Sequence, residues 1–224
     1  MQNNNDTLPN LIIGENLIEH TDKTKFLGII IDENLKWGEH INYIKKKSNS
    51  YLYVLRRISQ TCDQTTAFTA YHSLLMSIIS YGIILWGASS PENLNSIFKI
   101  QKRALRYILN LSNSKSCRQH FHDLKLLTVP SLFIFQTILF IRKNANKMPH
   151  LGDTHNYNTR NRSSLLIAPH RLKLTETQAV YIGAKLYNYL PQEIKLINNE
   201  NKFRQTVKDF LINKTCYSVA EFLK

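Results

Sequence analysis

Asp32 and Glu33 form the one adjacent acidic pair in the chain, closing an apolar run in FLGIIIDENLKW, residues 26 to 37. Two-metal nucleotidyl transfer needs carboxylates converging on ions about 3.5–4 Å apart, commonly an Asp pair on a turn plus an Asp on a neighbouring strand. No Asp-Asp dipeptide occurs. Successive strand residues point to opposite faces, so Asp32 and Glu33 converge only if the strand has already ended. A strand-end turn is the better reading. Other chemistries find less support: the glycines at 14, 28, 38, 82, 87, 152 and 183 are too scattered for a phosphate-cradling loop, and no Gly-x-Ser-x-Gly elbow occurs. Cys117, His120 and His122 lie close together, with His150 and His155 as the nearest completion. Lacking paired Cys-x-x-Cys spacing, they read as exposed or capping side chains, and neither a catalytic nor a metal site is expected.

The clearest pattern lies in ENLNSIFKIQKRALRYILNL, residues 92 to 111. On a helix, Lys99, Lys102, Arg103 and Arg106 fall within an arc of roughly 100°, while Leu94, Ile97, Phe98, Ala104, Leu105, Ile108 and Leu109 take roughly the opposite 140°. A solvated face usually mixes signs. A wholly basic face can instead follow a phosphate backbone without reading bases.

The elements that carry these residues follow from periodicity. LIIGENLIEHT (11 to 21) and TKFLGIIID (24 to 32) are β-rich and suggest one antiparallel hairpin around Asp22 and Lys23. From 38 to 58 the period changes: Ile41, Ile44, Leu52, Leu55 and Ile58 mark one helical face, and Lys45, Lys46, Lys47, Arg56 and Arg57 supply charge elsewhere. An uncharged helix over 64 to 86 should end at Gly87, and Ser90-Pro91-Glu92 then reads as a capped start of the basic helix. Further helices are expected over 131 to 147, 176 to 189 and 200 to 213, with a polar loop over 148 to 165 that contains HNYNTRNR. The fold class is mainly α: an N-terminal antiparallel β-hairpin followed by a bundle of amphipathic helices.

Composition narrows the partners. Lys and Arg number 29 against 16 Asp and Glu, a formal +13 that favours a polyanion such as nucleic acid. Cys62, Cys117 and Cys216 are odd in number and widely spaced, which argues against a disulfide framework. The N-terminus carries no secretory signal, so an intracellular location, cytoplasm or nucleus, is expected. No charge occurs between Asp63 and Glu92, yet Thr66, Thr69, His72, Ser73, Ser77, Ser80 and Tyr81 interrupt the stretch, as in a helix buried in protein and not in a membrane.

In order, FLGIIIDENLKWGEHI, SYGIILWG, IQKRALRYI, HNYNTRNR, GAKLYNYLPQEIK and KFRQTVKDFL resemble the C-terminal part of non-LTR retrotransposon reverse transcriptases of the Jockey and CR1-like group. The resemblance runs from about Leu11 to Leu211. It implies that Phe26, Leu27 and Gly28 belong to a primer-grip hairpin and that the following helices form a thumb. It divides the chain into residues 1–37 (end of palm), 38–147 (thumb) and 148–224 (polar loop and C-terminal helices). The implied partners are RNA or an RNA:DNA hybrid and the parent's missing palm and fingers. The candidate nucleic-acid contacts, read from charge and helical spacing and consistent with a thumb, are Lys99, Lys102, Arg103, Arg106, Lys45, Lys46, Arg160 and Arg162. Tyr157 can stack on a base, or HNYNTRNR can be an ordered loop bonding its own backbone. No cofactor is expected in this chain; Mg2+ belongs to the complete parent, whose Asp-Asp motif should precede the hairpin, so the chain alone should not polymerise DNA. The competing reading is a helical protein-interaction fragment with no nucleic-acid role.

Overall fold

The computed structural model describes residues 11–18, 20–153 and 162–224. Two small antiparallel hairpins lead into a helical bundle. Strands β1 (Leu11–Ile13) and β2 (Asn16–Ile18) pair in register Leu11 with Ile18. Strands β3 (Lys23–Phe26) and β4 (Ile29–Asp32) pair with Lys23 opposite Asp32 and Phe26 opposite Ile29. The single hairpin about Asp22 and Lys23 is therefore corrected, because each β-rich segment folds back on itself. The reason lies at the segment centres, where Gly14 (φ 64°) and the Leu27-Gly28 pair (φ 46° and 83°) adopt the positive φ that short hairpin loops demand.

Asp32 ends β4 and builds the connection to α1 (Gly38–Thr61). Its carboxylate accepts from the N–H of Lys36 at 2.9 Å and of Trp37 at 2.8 Å. Those bonds hold a loop in which Leu35 and Trp37 both take positive φ. Slight burial opposes ionisation of Asp32, but the backbone donors prevail and lower its pKa.

Helix α1 buries Ile41, Ile44, Leu52 and Leu55, as its periodicity predicts. The uncharged stretch is not one helix. It runs as α2 (Gln64–Ala70), a π-helical turn (Tyr71–Met76), α3 (Ser77–Ser80) and α4 (Ile83–Trp86), with a break at Tyr81 and Gly82. Ala67, Tyr71, Leu75, Ile79 and Ile83 are all at most 1% exposed and recur every fourth residue. That spacing outruns the 3.6-residue period, and the wider turn, closed by Ser77 N–H to His72 C=O, keeps the row facing the core. Among the described residues no helix is long and apolar enough to cross a membrane.

Helix α5 (Pro91–Ile108) starts where expected: the Ser90 hydroxyl accepts from Asn93 N–H at 3.1 Å. It lies beside α1 in the same sense, since Trp86 meets His40 near the start of α1 (centroids 6.4 Å apart) and Arg56 covers Tyr107 near both C-terminal ends. After α6 (Arg118–Asp123), the apolar α7 (Val129–Asn144) runs through the middle of the core. Helices α8 (Lys173–Glu176), α9 (Ala179–Tyr189), α10 (Gln192–Lys195), α11 (Glu200–Lys214) and α12 (Val219–Phe222) complete the bundle. Helix α9 lies against α7 at Gly183, where a Cβ would stand 2.5 Å from Ile141 Cγ1. The buried set is continuous from Ile41 to Phe222, and each large apolar side chain in it contributes about 1.5–3 kcal/mol.

Inside this apolar mass sits Gln101, fully buried. Its Nε2 donates to Tyr71 Oη at 2.9 Å and to the Leu127 carbonyl at 3.0 Å, and its Oε1 accepts from Val129 N–H at 2.8 Å. Replacing it by Leu would orphan buried partners on two other segments. We expect Gln101→Leu to lower unfolding stability by about 2–4 kcal/mol in denaturant titration. A loss under about 0.5 kcal/mol would contradict this role.

Candidate nucleic-acid interface

The tip of the β3–β4 hairpin carries Phe26, Leu27 and Gly28, which the sequence resemblance singles out. Phe26 is 62% and Leu27 73% exposed. The tip is anchored from behind: Tyr81 Oη donates to the Leu27 carbonyl at 2.6 Å, and Gly82, at φ 62°, leaves room for Ile29, whose Cδ1 would lie 2.7 Å from a Cβ there. Trp86 Nε1 donates to the Tyr81 carbonyl at 3.1 Å and so holds the break itself. From α1, His40 Nδ1 accepts from Ile30 N–H at 3.3 Å. FLGIII and SYGIILW are thus two halves of one contact. Sequence reading named both and did not join them, because their coupling passes through side chains 54 residues apart.

The basic arc of α5 divides into two rows. Lys99 and Arg103 are exposed and, with Tyr107, follow at four-residue spacing to make one ridge. Lys102 and Arg106 turn the other way and are half-buried. Lys102 Nζ lies 4.6 Å from the Phe98 ring centroid and 5.3 Å from that of Tyr217, and Arg106 Nη2 donates to the Lys115 carbonyl at 3.1 Å. Burial, with repulsion from Arg106 and Lys99, pulls the Lys102 ammonium below its ordinary pKa.

Helix α1 supplies the opposite bank. Lys45 is half-buried and Lys46 exposed. Lys45 shares an edge with Arg56 at helical spacing, and the Arg56 guanidinium lies 5.9 Å from the Tyr107 ring centroid on α5. This residue was not among the sequence-derived contacts, although its charge was noted. At the C-terminal ends of the two helices a cleft of about 600 Å³ opens, lined by Arg56, Gln60, Arg106, Tyr107, Asn110 and Asn113 among others, with no carboxylate among the described residues. Among the described residues none of Lys45, Arg56, Lys99 and Arg103 has an ion-pair partner.

The remaining candidates lie elsewhere. Arg162 is exposed, and its carbonyl accepts from Gly152 N–H at 2.9 Å, which fixes the end of the polar loop. Arg160, Tyr157 and His155 lie outside the described residues. Cys117 is buried with its thiol toward the Lys102 carbonyl, His122 pairs with Asp123 at 3.4 Å and His150 with Asp153 at 3.9 Å. Among the described residues, the trio whose ligand atoms do approach, within 4.8 Å of one another, is His20, Asp22 and Glu33, all exposed.

Two outcomes follow from the hairpin's anchoring. Gly82→Ala should cost about 1–2 kcal/mol through positive φ and the Ile29 clash, and Tyr81→Phe about 0.5–1.5 kcal/mol. Both should speed amide exchange over residues 23–32, and unchanged exchange would refute the anchoring. The second concerns pH. His40 is 2% exposed, its Nε2 has no partner, and burial lowers its pKa from 6.5. Below about pH 6.5 the unfolded chain therefore binds more protons than the folded one, so stability rises with pH across this window and is lost on acidification. His72, lowered by burial and by Lys208, has the same sign. His40→Gln should lose less stability than the parent between about pH 7.5 and 5.5; equal losses would remove His40 from the account.

Comparison with known proteins finds no matching family model and no matching solved structure. The chain is 27% identical over 116 residues to the "Probable RNA-directed DNA polymerase from transposon BS" of Drosophila melanogaster, a match covering 50% of this chain and 13% of that protein. It is 28% identical over 131 residues to the "RNA-directed DNA polymerase from mobile element jockey" of the same organism, covering 55% of this chain and 14% of the relative. A third, "Probable RNA-directed DNA polymerase from transposon X-element", is 25% identical over 126 residues, 55% of this chain and 14% of its own length. The matched regions thus span only about one seventh of these curated relatives. The three matches support a reverse-transcriptase origin for the chain.

Proposed function

We propose that the chain is the portion of a non-LTR retrotransposon reverse transcriptase, of the Jockey and CR1-like group, that follows the catalytic palm. On this reading residues 1–37 end the palm with the primer-grip hairpin, 38–147 form the thumb and 148–224 the C-terminal region. Its work is to hold template-primer or RNA by the phosphates without regard to sequence. One observation carries this: among the described residues, α1 and α5 present cations without ion-pair partners, Lys45 and Arg56 on one bank and Lys99 and Arg103 on the other, leading into a cleft lined by no described carboxylate.

Catalysis is left to the complete polymerase. Asp32 is engaged by its own turn, which supports reading it as a strand-end residue. A second reading, docking against protein, is favoured by the β1–β2 hairpin, where Leu11, Ile12, Ile13, Leu17 and Ile18 are 45–70% exposed. In the first reading that surface faces the parent's palm and fingers.

Four phosphate contacts give a log-log salt slope of about −3 to −4 for RNA or an RNA:DNA hybrid, with little change when the sequence is scrambled. Lys99→Glu with Arg103→Glu should reduce the slope by about 2 and leave unfolding stability unchanged. Lys102→Ala should instead cost stability, because its ammonium packs on two aromatic rings. A double variant that stays folded and binds RNA as before would overturn the assignment of this surface.

A further inference from the structure

The π-helical turn borders a second cation-lined cavity, separate from the α1–α5 surface. It encloses about 280 Å³ and takes residues from three parts of the chain: His72, Ser77 and Ser80 from the turn and α3, Lys125 from the loop between α6 and α7, and Lys208 from α11. Met76, Leu126 and Leu132 supply apolar wall. Among the described residues no carboxylate lines it. Among the described residues neither lysine has an ion-pair partner, although α11 carries acids at Glu200 and Asp209: Glu200 turns to Arg142 and Asp209 accepts from Gln205. The backbone of Lys125 sits at φ 52° and its N–H is held by the His122 carbonyl at 3.0 Å.

Like charges that border one recess favour an anion between them. Burial disfavours protonation of His72, and Lys208 is close enough to add to the effect. The other groups bordering His72 do not neutralise it: Tyr71 stacks edge-on with centroids 5.0 Å apart, and its phenol is engaged by Gln101. Two lysines and a histidine that border one recess of this size, with no carboxylate among its described lining residues, are complementary to a small tetrahedral dianion, whose oxygens accept from ammonium and imidazole N–H groups at once. Gln101 points away from the α5 ridge and toward Tyr71, so the cavity lies behind the proposed nucleic-acid surface.

We propose that this cavity is a phosphate-binding site, with Lys125 and Lys208 pairing with the phosphate oxygens and His72 donating a hydrogen bond to it. The phosphate can come from a strand end or from a free phosphorylated small molecule. The site does not depend on the α1–α5 surface.

The test uses the full chain and inorganic phosphate. His72 is followed by NMR of the imidazole, and affinity is measured by equilibrium dialysis. Phosphate should shift the His72 resonances and raise its pKa on binding. Lys125→Met and Lys208→Met should each weaken phosphate binding about tenfold or more, while Lys99→Glu with Arg103→Glu leaves it unchanged. No saturable shift at His72, or equal affinity in the folded Lys125→Met, Lys208→Met double variant, overturns the proposal. The source is read from competition: displacement of phosphate by a 5′-phosphorylated RNA oligomer but not by its 5′-hydroxyl counterpart assigns a strand end. Displacement by neither, with phosphate binding intact, assigns a small ligand. If RNA binding to the ridge fails while phosphate still binds here, only the nucleic-acid reading falls.

Discussion

The side-chain amide of Gln101 has both ends engaged inside the core, with Tyr71, Leu127 and Val129 as partners. An apolar helix face can rotate by tens of degrees and still bury about the same area, because hydrophobic contact is non-directional. A planar amide with three partners cannot. Its geometry therefore fixes the rotation of α5 about its axis, and at 3.6 residues per turn that rotation decides where every other side chain of the helix points. Lys99 and Arg103 face solvent, whereas Lys102 and Arg106 turn toward Tyr217 and the Lys115 carbonyl. The same amide holds Tyr71, and with it the π-helical turn that borders the second cavity. A polar contact in the core thus sets the composition of two surfaces.

The break at Tyr81 and Gly82 follows the same logic. A lone two-stranded hairpin is marginal in water, and β3–β4 is held at several points, among them Tyr81 on the Leu27 carbonyl, Ile29 over Gly82, His40 on the Ile30 N–H and Lys23 paired with Glu39. An unbroken helix would point Tyr81 elsewhere, and any side chain at 82 would meet both Ile29 and a disfavoured φ. The interrupted helix is what lets the hairpin tip be presented in a defined place. In the β1–β2 hairpin the apolar side chains of Leu11, Ile12, Ile13, Leu17 and Ile18 remain exposed.

What could be read from sequence was what is encoded locally. Ser90-Pro91-Glu92 announced the start of α5 because a cap needs only its own neighbours. The buried faces of α1 and α5 repeat at the helical period and were legible for that reason. The hairpin pairing was misplaced because Asp22-Lys23 looks like a turn, whereas Leu27, an apolar residue at positive φ, does not. The π turn was hidden in a four-residue spacing that resembles an ordinary helix. For the site, the composition of the basic arc was legible and its division into two rows was not, since the partners that turn Lys102 and Arg106 inward come from Tyr217 and the 112–118 segment. Arg56 and the hairpin anchor were missed for the same reason. Gln101 gave a faint signal, a polar residue on the apolar side of the helical wheel.

Formal charge is consequently a poor guide to the field that a polyanion meets. Several of the cations are already committed: Lys214 sits 5.0–5.3 Å from the Tyr189, Phe210 and Phe222 rings, and Arg118 pairs with Glu221 at 2.6 Å over the Tyr217 ring. Arg142 donates to the Lys195 and Ile197 carbonyls at 3.0 and 2.6 Å and so fastens α7 to the C-terminal helices. These groups hold the bundle together and are not free to neutralise phosphates. On the proposed reading, the cations of the α1 and α5 ridges, which have no ion-pair partner among the described residues, are the ones that can neutralise phosphates and so release the counterions condensed on the nucleic acid. The salt dependence of binding therefore counts the second class and is nearly blind to the first, which makes the slope, more than the affinity, the quantity that maps onto named side chains.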